Sequence, residues 1–374
     1  MPRADTAANE RVNSSLGQSR PLVDFDIKSP ADLSALRTIW ASTEAAPMIR
    51  ASRKEGSNHS WGDIDLRTYL GGEHSAGTLS VHNIVLKPGS GLPPHYHADT
   101  ETFLIVVEGE PMLQIGAVSE RAAKYSVGYA PARTRVGFVN TSDRAAVLML
   151  VYKGAGLERA FAECHALWVD NSEADESLYL KILAKYGVAF DDALLDNDTR
   201  TNCPSEPVLH EIKREGDLET LRSKLFERRA LPRLTHTSEA EIAVDGHDPG
   251  FRKRILNGDT SAGSAMINFV SRIPPAPNHY QPTEEELFFI LDGELRMTCG
   301  NSSAVLGQNG FAFAPRHCTH GFGPPSPNVD HKFMTLNSPA GHEHAMAALR
   351  EKQKRGLTDR EFREFSVIGG FIIH

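Results

Sequence analysis

Apolar residues recur along this chain in two rhythms, and each rhythm predicts a class of element. In residues 32–40 (DLSALRTIW) and 217–226 (DLETLRSKLF) they fall three and four apart behind an aspartate. That spacing predicts two short helices with Asp32 and Asp217 at their capping positions. Elsewhere the apolar residues form short β-branched or aromatic runs bounded by Gly, Pro and Asn, at 78–86, 102–116, 145–152, 266–273, 286–298 and 331–337. Such runs predict strands. Further helical stretches are expected at 175–187, 341–356 and 358–365, and the polar, turn-rich segment 191–207 divides the elements into two groups.

The two groups are copies of one another. DLSALR at Asp32 matches DLETLR at Asp217, and HYH at His95 matches HYQ at His279. Gly109-Glu110, Pro131 and Gly137-Phe138 recur as Gly293-Glu294, Pro315 and Gly321-Phe322, and Ala155-Gly156 recurs as Ala340-Gly341. All six anchors lie 184 or 185 residues apart. One spacing held across most of the chain predicts an internal duplication. The length of 374 residues also exceeds what one hydrophobic core usually organises. The expected organisation is a disordered leader over 1–20, one domain over 21–195 and a second over 196–374.

Composition narrows the function classes. Apolar residues make up 40% and charged residues 24%, with a formal charge of −8, the balance of a soluble globular chain. No basic face is evident that would track phosphates, so a nucleic acid is not an expected partner, whereas a small molecule is. No apolar run reaches the 18 residues of a membrane-crossing helix, and the first 20 residues lack the apolar core of a secretory signal. The four cysteines show no CxxC spacing, which predicts a reduced, cytoplasmic compartment.

The stretch from Gly89 through His95, His97 and Glu101 to Gly109 resembles the first motif of the cupin superfamily, and Gly310, Pro315 and His320 resemble the second. The resemblance covers nearly all of both halves and implies a mainly β fold of two cupin jelly-roll barrels with flanking helices. In that family three histidines and a glutamate hold a divalent metal inside the barrel. The spacing has a physical basis: residues i and i+2 of a strand share a face, so HxH sends two imidazoles inward and a neighbouring strand must return the third. Imidazole with carboxylate suits Fe(II), the resemblance's leading choice, and also Mn(II), Ni(II), Cu(II) or Zn(II).

Aligned by the repeat, the four ligand slots hold His279, Gln281, Glu286 and His320 in the second copy, and His95, His97, Thr102 and Val136 in the first. The second copy therefore loses one histidine to glutamine and is expected to be the principal site. For the first copy two readings stand. Either a β-bulge swings Glu101 inward to complete a set with His95 and His97, or the slot is a packed relic. His317 is expected on a turn at the rim. Cys318 is a candidate pocket thiol, and His82, His331, His342 and His344 default to surface or supporting roles. Strand parity turns Leu104, Val106, Phe288 and Ile290 inward, an apolar lining that favours an aromatic or poorly polar substrate.

Resemblance to the quercetin 2,3-dioxygenases and the gentisate-type dioxygenases implies a metal-dependent dioxygenase acting on a small hydroxylated aromatic or enolic substrate, with dioxygen as second substrate. Glu286 would then act as ligand and proton acceptor. The alternatives are a decarboxylase or lyase of the oxalate decarboxylase type and a non-catalytic binding protein. Bicupins also suggest a homodimer, and the apolar terminal segment VIGGFIIH is expected to pack on a barrel.

Overall fold

The computed structural model describes residues 23–190, 207–247, 250–327 and 329–373, so the expected leader and the expected domain boundary at 195/196 lie outside the described residues. Two double-layered β-barrels are built on the same plan. In each half a seven-stranded sheet faces a five-stranded one. The larger sheets carry the runs Leu79–Leu86, Glu101–Glu108 and Ala146–Lys153 in the first half, and Met266–Ser271, Glu285–Gly293 and His331–Ser338 in the second. These strands are buried along nearly their whole length instead of alternating. A strand is apolar on both faces when both are covered, and here one face lines its own barrel while the other meets the opposite half. Phe103, Ile105 and Met149 of the first half pack there with Phe289, Phe311 and Met334 of the second.

The halves also exchange strands. Met48–Arg50, from the first half, pairs antiparallel with Phe311–Ala314 of the second barrel. Arg233–Thr235 returns the exchange on Val127–Ala130. Buried glutamates repeat as well: Glu158 accepts from the backbone N–H of Gly72 and Gly156, and Glu343 from Gly258 and Gly341.

The helix after each N-terminal segment forms as expected, at Pro30–Ala41 and Asp217–Phe226. Their aspartates sit inside the first turn and not at the cap, where Asp32 accepts from Lys28 N–H and Asp217 from Lys213 and Arg214 N–H. After the first barrel come two helices, Leu157–Asp170 and Glu176–Lys185, of which the hydrophobic pattern predicted only the second. Their counterparts are His342–Gln353 and Asp359–Ile368. The apolar terminus does pack on the second barrel, where Ile372–Ile373 pairs with the strand bearing His279. Among the described residues no helix is long and apolar enough to cross a membrane.

Candidate metal centre

Three strands of the second barrel bring the predicted chemistry together. His279 sits near the end of strand Ala276–Tyr280, Glu286 near the start of Glu285–Gly293, and His320 opens His320–Gly323, directly across the ladder from His279. One ligand atom from each of His279, Glu286 and His320 lies within 4.8 Å of the others, and among the described residues this is the one such group of three. His320 is fully buried, and Glu286 and Gln281 nearly so.

Backbone carbonyls fix which imidazole nitrogen each histidine offers. His279 Nδ1 donates to the carbonyl of Pro277 at 2.8 Å, and His320 Nδ1 to that of Cys318 at 2.9 Å. A carbonyl only accepts, so both Nδ1 atoms carry a proton and leave Nε2 to the cluster, the arrangement that orients metal-ligating histidines. His320 Nε2 lies 3.0 Å from Glu286 Oε2. With Nδ1 already committed, that contact requires either an imidazolium or a cation shared by the two groups. Two imidazoles and a carboxylate match the borderline donor set of first-row divalent metals, so the residues fit the group the fold implies.

Gln281 donates from its amide nitrogen to Glu286 Oε2 at 3.1 Å, joining the cluster through the carboxylate. Burial alone would raise the Glu286 carboxyl. The His320 hydrogen bond, the charges of His320 and His279 and the Gln281 donor overcome that and hold it at about 2. Burial opposes charging of His320, but its contact with Glu286 prevails and raises it. His279, without such a close partner, is lowered chiefly by burial.

The first barrel differs. His95 and His97 are buried side by side with their Nε2 atoms 3.1 Å apart, and His95 Nδ1 donates to the carbonyl of Pro93. Burial holds both well below the usual range, His95 at about 4, so both are neutral at pH 7. Glu101 does not join them, which corrects the three-ligand reading. The ladder between Glu101–Val106 and Leu148–Lys153 runs without a bulge, so Glu101 keeps the opposite parity to Thr102. Its carboxylate accepts instead from Tyr129 Oη at 2.9 Å and, across the interface, from Ser264 Oγ at 2.5 Å. Thr102 and Val136 are buried in the slots where the second barrel has Glu286 and His320.

Beside the triad lies a cavity of 210 Å³. The lining expected from parity is corrected. Phe288 and Ile290 belong to the packed core beneath, and Leu104 and Val106 to the core of the first barrel. Its lining combines polar groups, Arg252, Asn268, Thr335, Asn337 and His342, with apolar ones that include Phe322, Phe362 and Phe371, and His342 meets Phe371 edge-on at 5.4 Å between ring centroids. His342, expected at the surface or in a supporting role, lines this cavity, with burial lowering it to about 4. His82 and His331 are buried. Cys318 turns from the cavity toward a separate cleft, with its Sγ 3.6 Å from Cys299 Sγ, while His317 sits exposed on the rim turn as expected. Arg252 escaped the sequence reading because FRKRIL shows no apolar rhythm. The signal lay in strand position: Gly250–Leu256 repeats Ile64–Leu70, so Arg252 stands where the first copy has Leu66.

The paired barrels and the repeated glutamate anchors are the architecture of a duplicated cupin fold, with one convergent His/Glu/His cluster among the described residues. The comparisons agree, since the cupin domain model matches residues 82–152 and 269–336, one segment in each half. Among solved structures the chain is similar to the protein Ylba from E. coli, with a TM-score of 0.51 at 10% identity over 81% of this chain and 96% of that one. It is also similar to the oxalate decarboxylase of Lactobacillus farciminis in a formate complex, with a TM-score of 0.50 at 11% identity over 87% and 98%. A structure of Bacillus subtilis oxalate decarboxylase that concerns its Mn(II) centres gives 0.50 at 12% over 89% and 91%. At such identities the likeness speaks for the fold alone. Comparison with curated proteins finds no match.

Proposed function

We propose that the second barrel is a metal-dependent catalytic centre for a small organic substrate, with His279, Glu286 and His320 as ligands. The observation that carries this is the convergence of two carbonyl-fixed histidines and an ionised carboxylate, of which His279 and Glu286 line a cavity. A bound divalent metal would supply Lewis acidity and, for Fe(II), a place for dioxygen. The chain's own residues do the rest. Gln281 helps hold Glu286 in its ionised form, and Phe322 with Phe371 and Ile373 of the terminal segment gives the cavity apolar surface against which the substrate is kept from water. A carboxyl held at about 2 is a weak base, so Glu286 is assigned as ligand in preference to proton acceptor.

The aromatic part of the lining supports the dioxygenase reading, in which an enolic or hydroxylated aromatic substrate meets dioxygen. The polar groups Asn268, Thr335 and Asn337 support the second reading, a decarboxylase or lyase, and the fold is one that oxalate decarboxylases share. The deciding experiment follows substrate loss by the purified, Fe(II)- or Mn(II)-loaded protein with and without dioxygen. Oxygen uptake matching substrate loss establishes the dioxygenase. Carbon dioxide release without oxygen uptake establishes the decarboxylase, and a wild-type protein that retains no stoichiometric metal removes both.

A further inference from the structure

Among the groups lining the cavity, Arg252 is the one cation whose charge has no ion-pair partner. It projects from strand Gly250–Leu256 into the cavity, and its Nε is buried with no hydrogen-bond partner. No carboxylate among the described residues forms an ion pair with it, and Glu286, the one acid in the lining, is already engaged by His320 and Gln281. Two neighbours likewise have a buried polar atom with no hydrogen bond. Asn268, 2% exposed, shares one hydrogen bond with the Thr335 hydroxyl, and because a hydroxyl donates as well as accepts, the amide can turn over and leave its nitrogen for a ligand; His342 Nδ1 is buried without a hydrogen bond, with Glu284 Oε1 its ion-pair contact at 3.8 Å. A buried polar group left unpaired is costly, and an unpaired charge more so. Three of them at the wall of one cavity mark a place where a ligand completes the hydrogen bonding.

Charge identifies the ligand class. A divalent metal and Arg252 would place three positive charges against the single negative charge of Glu286. We propose that Arg252, with Asn268 and His342 beside it, is a carboxylate-binding subsite, so that the substrate is a small organic acid held at two ends. One end is a carboxylate on Arg252, and the other is an oxygen group at the triad. Between them lies an apolar or aromatic middle against Phe322 and Phe371. The cavity holds about seven waters' worth of liquid volume, enough for such a middle. Arg252 is suited to the task because its planar fork matches a carboxylate with two parallel hydrogen bonds. This subsite rests on the metal reading for its second anchor only.

The test uses the full-length protein, stripped of metal by chelation, with benzoate as probe and uncharged benzamide as its isostere. Calorimetric titration is expected to show benzoate binding and no comparable benzamide binding. Arg252→Met is expected to weaken benzoate by about ten- to a hundredfold, with Arg252→Lys between. Because Arg252→Met also removes an unpaired buried charge, its thermal midpoint is expected to stay level or rise. A merely structural arginine would not give that result. Mn(II) titration reads the other assignment separately: Arg252→Met keeps Mn(II), and His320→Ala loses Mn(II) but keeps benzoate. Absence of benzoate binding, equal binding of benzamide, or benzoate binding unchanged in both Arg252 variants overturns the subsite whatever the metal result.

Discussion

The two barrels share a strand plan but fill it with opposite chemistry. Among the strand and helix positions that line the cavity in the second barrel are Arg252, Thr335, Asn337, His342 and Met346. At equivalent positions the first barrel has Leu66, Leu150, Tyr152, Leu157 and Phe161, all of them buried. Phe161 stacks on Trp61 at 5.6 Å between ring centroids and meets His82 edge-on at 5.0 Å, and Tyr152 lies 5.3 Å from His97. The first barrel has therefore closed its cavity with side chains while keeping the HxH pair. The second keeps the space and the polar groups that a ligand needs. One duplication has given a packed support and an open site, separated by residue exchanges on a common backbone plan.

That contrast can be broken in several ways. The largest effect is expected in the first barrel, where Phe161→Ala removes a buried ring and should cost about 3–5 kcal/mol in denaturant unfolding. Its counterpart Met346→Ala, at a cavity wall, should cost about 1 kcal/mol. Equal costs would show that the barrels are packed alike. Next, His320→Ala should weaken divalent-metal affinity by about a hundredfold or more in calorimetry, with metal content lost on gel filtration. His97→Ala should leave the metal stoichiometry of the chain unchanged, and a drop of one equivalent would restore the first barrel as a site.

Protons supply a smaller effect. The ligand nitrogens must be free of protons to bind metal, and His320 is raised above the ordinary histidine value while Glu286 stays ionised down to about 2. Metal affinity should thus be full above neutral pH and fall as pH drops through the His320 range, by up to about tenfold per unit for each proton taken up. A metal affinity that is flat between pH 8 and pH 5, about the range in which an imidazole titrates, would remove His320 from the ligand set. The smallest effect is expected at Gln281, which acts through Glu286. Gln281→Leu should weaken metal by about tenfold with stoichiometry kept, and Gln281→His should strengthen it.

Much of this was readable from the chain. Repeat spacing gave the duplication, and the apolar runs gave the strands. Motif positions then picked out His279, Glu286 and His320, because their inward facing depends on strand parity and a fixed offset, even though Glu286 comes from the opposite sheet. The same parity argument misjudged the lining. Phe288 and Ile290 face inward as expected, but they lie below the triad in the packed core, and depth along a barrel is not written in alternation. Glu101 escaped for a similar reason. Whether a strand bulges at one residue depends on its partner strand, and here Lys153 keeps register opposite it.

The sequence by itself determined two barrels, most of their helical flanks and which residues would converge at His279, Glu286 and His320, since each follows from periodicity and spacing within short stretches. Only the tertiary structure decided the rest. It exchanged Met48–Arg50 for Arg233–Thr235 between the halves, set Arg252 and Asn268 at the cavity with His342 from a distant helix, and paired the terminal segment with the His279 strand so that Phe371 and Ile373 line the cavity. These contacts join residues far apart in the chain, and their energies come from what each side chain meets after folding. No local pattern encodes that an arginine will be left without a carboxylate.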